Sequence, residues 1–147
     1  MNVSRTLQNR SPVLDVDEAN RLLPLVRTLA SRIRRRVALI QRLCNEMLVL
    51  QVLCETSDYE RNLDLQEFVD KKLRFHRLRG QVDALVERLA GMGCVVRDRD
   101  AKHVDFTFLR DDGLAVLCWQ QGEDVVDDWH YMHEPHGERR PLQNTDS

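Results

Sequence analysis

The chain has 147 residues, of which 42% are hydrophobic, 31% charged and 5% aromatic, with a net charge of −2. That length holds one domain with a real core and is too short to need two. So many charges with so few aromatics point to a helical protein with solvated faces and exclude a β-sandwich or a disordered chain.

Residues 1–13 are polar, contain Pro12 and show no periodicity, so they read as a flexible N-terminal arm. Nothing in Met1 to Arg10 has the apolar centre of a secretory signal, and a cytoplasmic location is expected. Residues 14–142 read as a single domain and 143–147 as a tail. Asp15-Val-Asp-Glu18 has the form of a helix capping box, and the acids at 15, 17 and 18 suit the positive end of a helix dipole. A four–three alternation then runs through Ala19, Leu23, Val26, Ala30, Ile33, Val37, Ile40, Cys44, Met47, Gln51 and Cys54, with only Gln51 polar. It predicts a helix over 15–55, roughly 60 Å long at about 1.5 Å per residue. Pro24 lies inside it, removes the backbone bond to Asn20 and is expected to bend the first turns.

A second helix is expected over 58–92, with Ser57-x-x-Glu60 and Asp64-x-x-Glu67 as competing caps. Its stripe is Phe68, Phe75, Leu78, Val82, Leu85, Leu89 and Met92, and Gly91 and Gly93 supply the stop. The short connection makes the two helices an antiparallel, coiled-coil-like hairpin. After Gly93 the period changes. Cys94–Asp98, His103–Arg110 and Leu114–Gln120 read as strands, the last two joined by the turn signal Asp111-Asp112-Gly113. Residues 124–132 add a fourth strand or an extended edge, so the β-rich segment covers 94–132. The fold class is therefore α+β, mainly α, a long helical hairpin followed by a small antiparallel sheet.

The first helix is too apolar for one neighbour. Beside its seam runs a second line, Leu22, Leu29, Arg36, Leu43 and Leu50, and Leu48, Val49, Val52 and Leu53 make its far end apolar on nearly every side. A small sheet can cover one end of such a rod but not its length. A homodimer forming a four-helix bundle is the expected partner arrangement. No apolar run long enough to span a membrane is expected. Cys44, Cys54, Cys94 and Cys118 show no paired spacing and read as reduced thiols.

The segments Asp17-Glu-Ala-Asn-Arg-Leu-Leu-Pro-Leu-Val26, Gly93-Cys-Val-Val-Arg-Asp98, Val104-Asp-Phe106, Leu117-Cys-Trp119, Gly122-Glu123, Trp129-His130 and Arg139-Arg-Pro-Leu142 stand in an order and approximate spacing that resembles an uncharacterised bacterial family, domain of unknown function 2203. The resemblance implies a helical hairpin with a β-rich end and carries no assigned activity. Two departures stand out: Thr107 occupies a position where the family usually has Pro, and Tyr131–Glu138 lacks its Gly-rich, Phe-containing stretch and has His133 and His136 instead.

The polar members of these segments, Asp105, Glu123, His130 and Arg139, together with Cys118, Trp119 and Trp129, form the candidate pocket. Carboxylates beside an imidazole and a guanidinium could do acid–base work or bind an anion, or they could be an ion-pair network pinning the sheet to the helices. His130, His133 and His136 recur every three residues, a spacing that can supply ligands to a divalent metal, with Cys118, Asp105 or Glu123 completing the set. No cofactor is called for by any motif, and Pro135 argues against a helix presenting those histidines together. The basic run Arg32, Arg34, Arg35 and Arg36 could track an RNA backbone, but it has no interleaved aromatics. Residues 1–56 carry nine Arg against five acids, while 93–147 carry twelve acids against six bases, so the run can instead dock the acidic end of the chain. A non-enzymatic helical-bundle interaction protein with a polar pocket at its β-rich end ranks first. A small enzyme or metal- or anion-binding protein using Asp105, Glu123, His130 and Arg139 ranks second, and RNA contact third.

Overall fold

The computed structural model describes residues 13–56, 61–110, 113–135 and 138–142, which leaves the Ser57 and Glu60 cap, the turn acids Asp111 and Asp112, and His136 outside the described residues. Among the described residues the chain is α+β and mainly helical. Helix α1 spans Val16–Thr56 and α2 spans Arg61–Gly91. Strands β1 (Cys94–Val96), β2 (His103–Arg110), β3 (Gly113–Gln120), β4 (Asp128–Tyr131) and β5 (Arg140–Pro141) form one antiparallel sheet in sequence order. Asp15 caps α1, its Oδ1 accepting from the Glu18 amide at 2.7 Å. Pro24 sits inside α1 without ending it. Asp64 lies within the first turn of α2, so it serves the helix dipole and not the cap expected of it. Gly93, at φ 87°, takes the left-handed conformation that closes α2 and turns the chain into β1.

The core lies between the helices and one face of the sheet. Ala19, Leu23, Val26, Leu29, Ala30 and Ile33 of α1 and Leu89 of α2 pack with Val104, Phe106, Phe108, Ala115, Leu117, Trp119 and Trp129. The fifth strand is not anticipated by the sequence pattern, since two residues carry no alternation, and the expected fourth strand is confined to Asp128–Tyr131.

The seam of α1 behaves differently along its length. Near the sheet its members Ala19, Leu23, Val26, Ala30 and Ile33 are fully buried, but beyond it Ile40, Cys44 and Met47 are half-exposed and the second line, Leu43 and Leu50, is buried instead. Polar contacts explain the change. Arg36 Nε donates to Gln81 Oε1 at 3.0 Å and Lys71 Nζ meets Glu46 Oε2 at 2.7 Å, so the side of α1 bearing residues 36, 43, 46 and 50 faces α2. Asn20, Arg27 and Arg34 lie on another side and reach the sheet and its loops. A helix that meets α2 on one side and the sheet on the other needs both lines at its start and only the α2 line at its end.

The apolarity of the distal half has a further consequence. By length and composition α1 could cross a membrane, with an 18-residue window of mean hydropathy 1.5 of which only 11% is buried. The helix passes on length and average composition, although Arg42 and Glu46 interrupt its apolar run.

Asn20 fastens α1 to the connection between β3 and β4. Its Oδ1 accepts from the Val126 amide at 2.8 Å and its Nδ2 donates to the Val126 carbonyl at 3.2 Å, so the side-chain amide pairs with the backbone as a strand would. Replacing it leaves both backbone groups of the buried Val126 without these partners. Asn20→Ala is expected to destabilise the chain by about 1–3 kcal/mol in urea unfolding, and an unchanged midpoint would show that the clamp carries no net stability.

Candidate functional site

The register divides the sheet residues into two faces. Val104 pairs with Trp119, Phe106 with Leu117 and Leu117 with Trp129, so these side chains share the face against the helices. Asp105 pairs with Cys118, Val116 with His130 and Cys118 with Asp128, which places Asp105, Val116, Cys118, Asp128 and His130 together on the opposite face. Among the described residues no helix covers that face, yet Asp105 is only 1% exposed and His130 2%, and Val116 and Cys118 are buried as well.

Asp105, Cys118 and His130 bring their donor atoms within 4.8 Å of one another. The Asp105 carboxylate is held on one side by Arg97, whose Nε donates to Oδ2 from a half-exposed side chain. Its other oxygen, Oδ1, is buried and meets no N–H or O–H donor among the described residues. His130 Nδ1 lies 2.7 Å from the Tyr131 carbonyl. A carbonyl can only accept, so Nδ1 carries a proton, and the tautomer this selects holds its lone pair on Nε2. Burial pushes the Cys118 thiol up to about 12, and Asp105 adds to the effect by its charge and by accepting a hydrogen bond from the thiol, while Arg139 opposes it. Arg139 itself meets Asp128 at 3.7 Å. The face therefore holds two carboxylates, each with its own guanidinium, around a buried thiol and a buried imidazole.

Of the residues singled out by sequence, Asp105, Cys118 and His130 are brought together, and Arg139 joins them through Asp128. Trp119 and Trp129 face the helices and do not line the cluster, because adjacent strand residues point to opposite faces. Trp129 packs edge-on against Tyr131 and lies under the Arg110 guanidinium at 4.2 Å. Glu123 closes the turn after β3: its Oε1 accepts from the Gln120 amide at 2.6 Å and its carbonyl from Trp119 Nε1 at 3.0 Å and from Arg27. Its carboxylate also gathers with Asp127 and Asp128. His133 stacks on Tyr131 and belongs to none of the three-donor groups among the described residues, so the structure does not assemble it with His130. Within the basic run, Arg34 donates to the Ala101 carbonyl at 2.8 Å and Arg36 ties α1 to α2, while Arg32 and Arg35 remain exposed.

Sequence reasoning missed Arg97 and Asp128. Their signal is positional: Arg97 stands two residues after Val95, which pairs with Asp105, and Asp128 pairs with Cys118. It also missed a cleft of about 520 Å³ on the far side of the core, lined by Ile33, Val37, Phe75, Val82 and Val86 with Arg79 and Asp83 among its polar members.

The profile of the family described as Uncharacterized conserved protein (DUF2203) matches residues 13–142, most of the chain, and the chain belongs to that family. Neither a curated protein nor a solved structure matches it.

The thiol environments separate the four cysteines. Burial raises Cys94 to about 12 and Cys118 likewise, whereas Cys44 and Cys54 are half-exposed on α1. In the native chain at pH 8, iodoacetamide is expected to modify Cys44 and Cys54 and to spare Cys94 and Cys118 until denaturant is added. Peptide mass mapping checks this, and early labelling of Cys118 would contradict the closed site.

Proposed function

We propose that this member of the DUF2203 family is a non-enzymatic interaction protein. In this reading its helices form an antiparallel, coiled-coil-like hairpin, and two copies pair through the distal half of that hairpin into a four-helix bundle. The observation that carries the reading is the bare far end of α1. Leu48 and Val52 lie 18 residues, five helical turns, beyond Ala30 and Arg34, and so continue the side of α1 that the sheet covers nearer its start. There the sheet is absent, and Leu48, Val49, Val52 and Leu53 are about half exposed, as are Leu65, Val69 and Leu73 on α2. Seven such side chains offer on the order of 700 Å², near the roughly 800 Å² per partner of a standard interface. Solvated singly, such residues need no explanation, but a concentration of this kind at one end marks an association surface.

A second copy fits this surface better than a bilayer does. The neighbouring α2 carries Glu67, Asp70, Lys71, Lys72 and Arg74 at the same level, and Lys71 is tied to both Glu46 and Glu67. Inserting the pair into lipid would desolvate all of these charges. A like chain brings matching apolar stripes and lets the charges stay at the rim of the bundle.

Native mass spectrometry is expected to give a dimer at micromolar concentration, and Leu48→Glu with Val52→Glu to give a monomer of unchanged helical circular dichroism. A wild-type chain that stays monomeric through that range, or that sediments with lipid vesicles, would overturn the reading.

A further inference from the structure

We propose that Asp105, Cys118 and His130 form a three-ligand site for a divalent cation of the zinc class on the face of the sheet turned away from the helices. The donors come from three neighbouring strands, β2, β3 and β4, so the hydrogen-bonded register fixes their spacing. A carboxylate, a thiolate and an imidazole are ligand types that zinc accepts, and their mixed softness disfavours magnesium or calcium, which take oxygen alone. Metal bonds of roughly 2.0–2.3 Å set tetrahedral donor–donor edges near 3.3–3.8 Å. The three donors already lie within 4.8 Å of one another, so small side-chain rotations suffice to bring them to a common ion.

Two features beyond proximity point to a ligand. The first is Asp105 Oδ1: in a residue 1% exposed this carboxylate oxygen meets no N–H or O–H donor among the described residues. The weak Cys118 thiol beside the carboxylate is itself one of the three donors, so burying that oxygen is costly unless something positive meets it. Arg97 engages only the other oxygen, and from a half-exposed position. The second is the orientation of His130. Its Nδ1–H is directed at the Tyr131 carbonyl, the outer contact that presents Nε2 as a metal-binding lone pair. The other guanidinium of this face, Arg139, is matched by Asp128, so it need not compete for Asp105.

Charge also balances. Binding exchanges the Cys118 thiol proton for the metal, releasing one proton per site, and a dication with one thiolate and one carboxylate is neutral overall. Three protein ligands leave a fourth position for water or a small anionic ligand.

Cobalt(II) is the probe, because a thiolate ligand gives it a charge-transfer band in the near ultraviolet. The full chain, titrated under reducing, oxygen-free conditions, is expected to develop that band and tetrahedral visible bands with an end point at one cobalt per chain, and zinc to bleach them. Loss of an outer contact to a ligand commonly weakens metal binding about 10–100-fold, so loss of a ligand itself in Cys118→Ser or His130→Gln is expected to cost more, with the charge-transfer band absent in Cys118→Ser. The near-isosteric Asp105→Asn should fold and bind more weakly, while Cys44→Ser with Cys54→Ser should leave the end point unchanged. A folded wild-type chain that gives no band at excess cobalt overturns the site, whatever the variants do. So does a band that survives in folded Cys118→Ser.

Discussion

The structure depends on a mismatch of lengths. Helix α1 has 41 residues, about 60 Å at helical rise, whereas the eight-residue strands that pack on it span roughly 27 Å. The sheet can therefore bury only the first part of the helix. That contact supplies the core: Ala19, Val26, Leu29 and Ala30 are fully buried against Val104, Phe106, Leu117 and Trp119. Everything beyond is a pair of helices with one shared side, lined by Leu43, Leu50 and Leu78, and apolar residues left over. The small side chains Ala19 and Ala30 matter here, since they let the sheet approach the helix closely. The same helix is thus a core element at one end and an unfinished surface at the other.

The polar fastenings follow the same division. Asn20, Arg27 and Arg34 occur at sevenfold spacing on the side of α1 that meets the sheet and its loops, and each donates to a backbone carbonyl there: Val126, Glu123 and Ala101 respectively. Arg36 and Glu46 serve the α2 side. The basic first half and acidic last third of the sequence therefore meet within the molecule, but chiefly through carbonyls. Among the described residues, direct ion pairing between these two parts is confined to the exposed Arg27–Asp124 contact at 3.5 Å, which solvent screens. Carbonyl acceptors make these arginines positional devices whose effect persists in salt.

Much of this is legible in the sequence, and what is not has a definable cause. The long apolar period of residues 19–54 reads directly as a helix, and the change of period after Gly93 as the start of a sheet. What periodicity cannot reveal is which neighbour each line of the helix faces, because a seam and its adjacent line look alike until a second element chooses between them. The outer face of the sheet is harder. Along β3 the run from Ala115 to Trp119 is buried throughout, so alternation disappears and the two faces read as one apolar strand. Asp105 and His130 remain visible as polar interruptions of apolar strands. Trp119 and Trp129 sit next to cluster residues in sequence, and for that reason point the other way in space. Arg97 and Asp128 become identifiable only through cross-strand register.

That double burial bears on why the cluster exists at all. A small sheet needs only one apolar face, and its other face would ordinarily be solvated. Here the second face hides a carboxylate and an imidazole beside a thiol; the first two cost free energy to bury, and apolar residues of similar volume could replace them at less cost. Ion pairing accounts for part of the arrangement: Arg97 holds one oxygen of Asp105, and Arg139 meets Asp128. It leaves the second Asp105 oxygen without an N–H or O–H donor among the described residues, with only the weak Cys118 thiol beside the carboxylate that raises its pKa. A cation bound there would answer both at once: it would lower the thiol, meet the second oxygen and join the buried carboxylate and imidazole in one mutually stabilising centre.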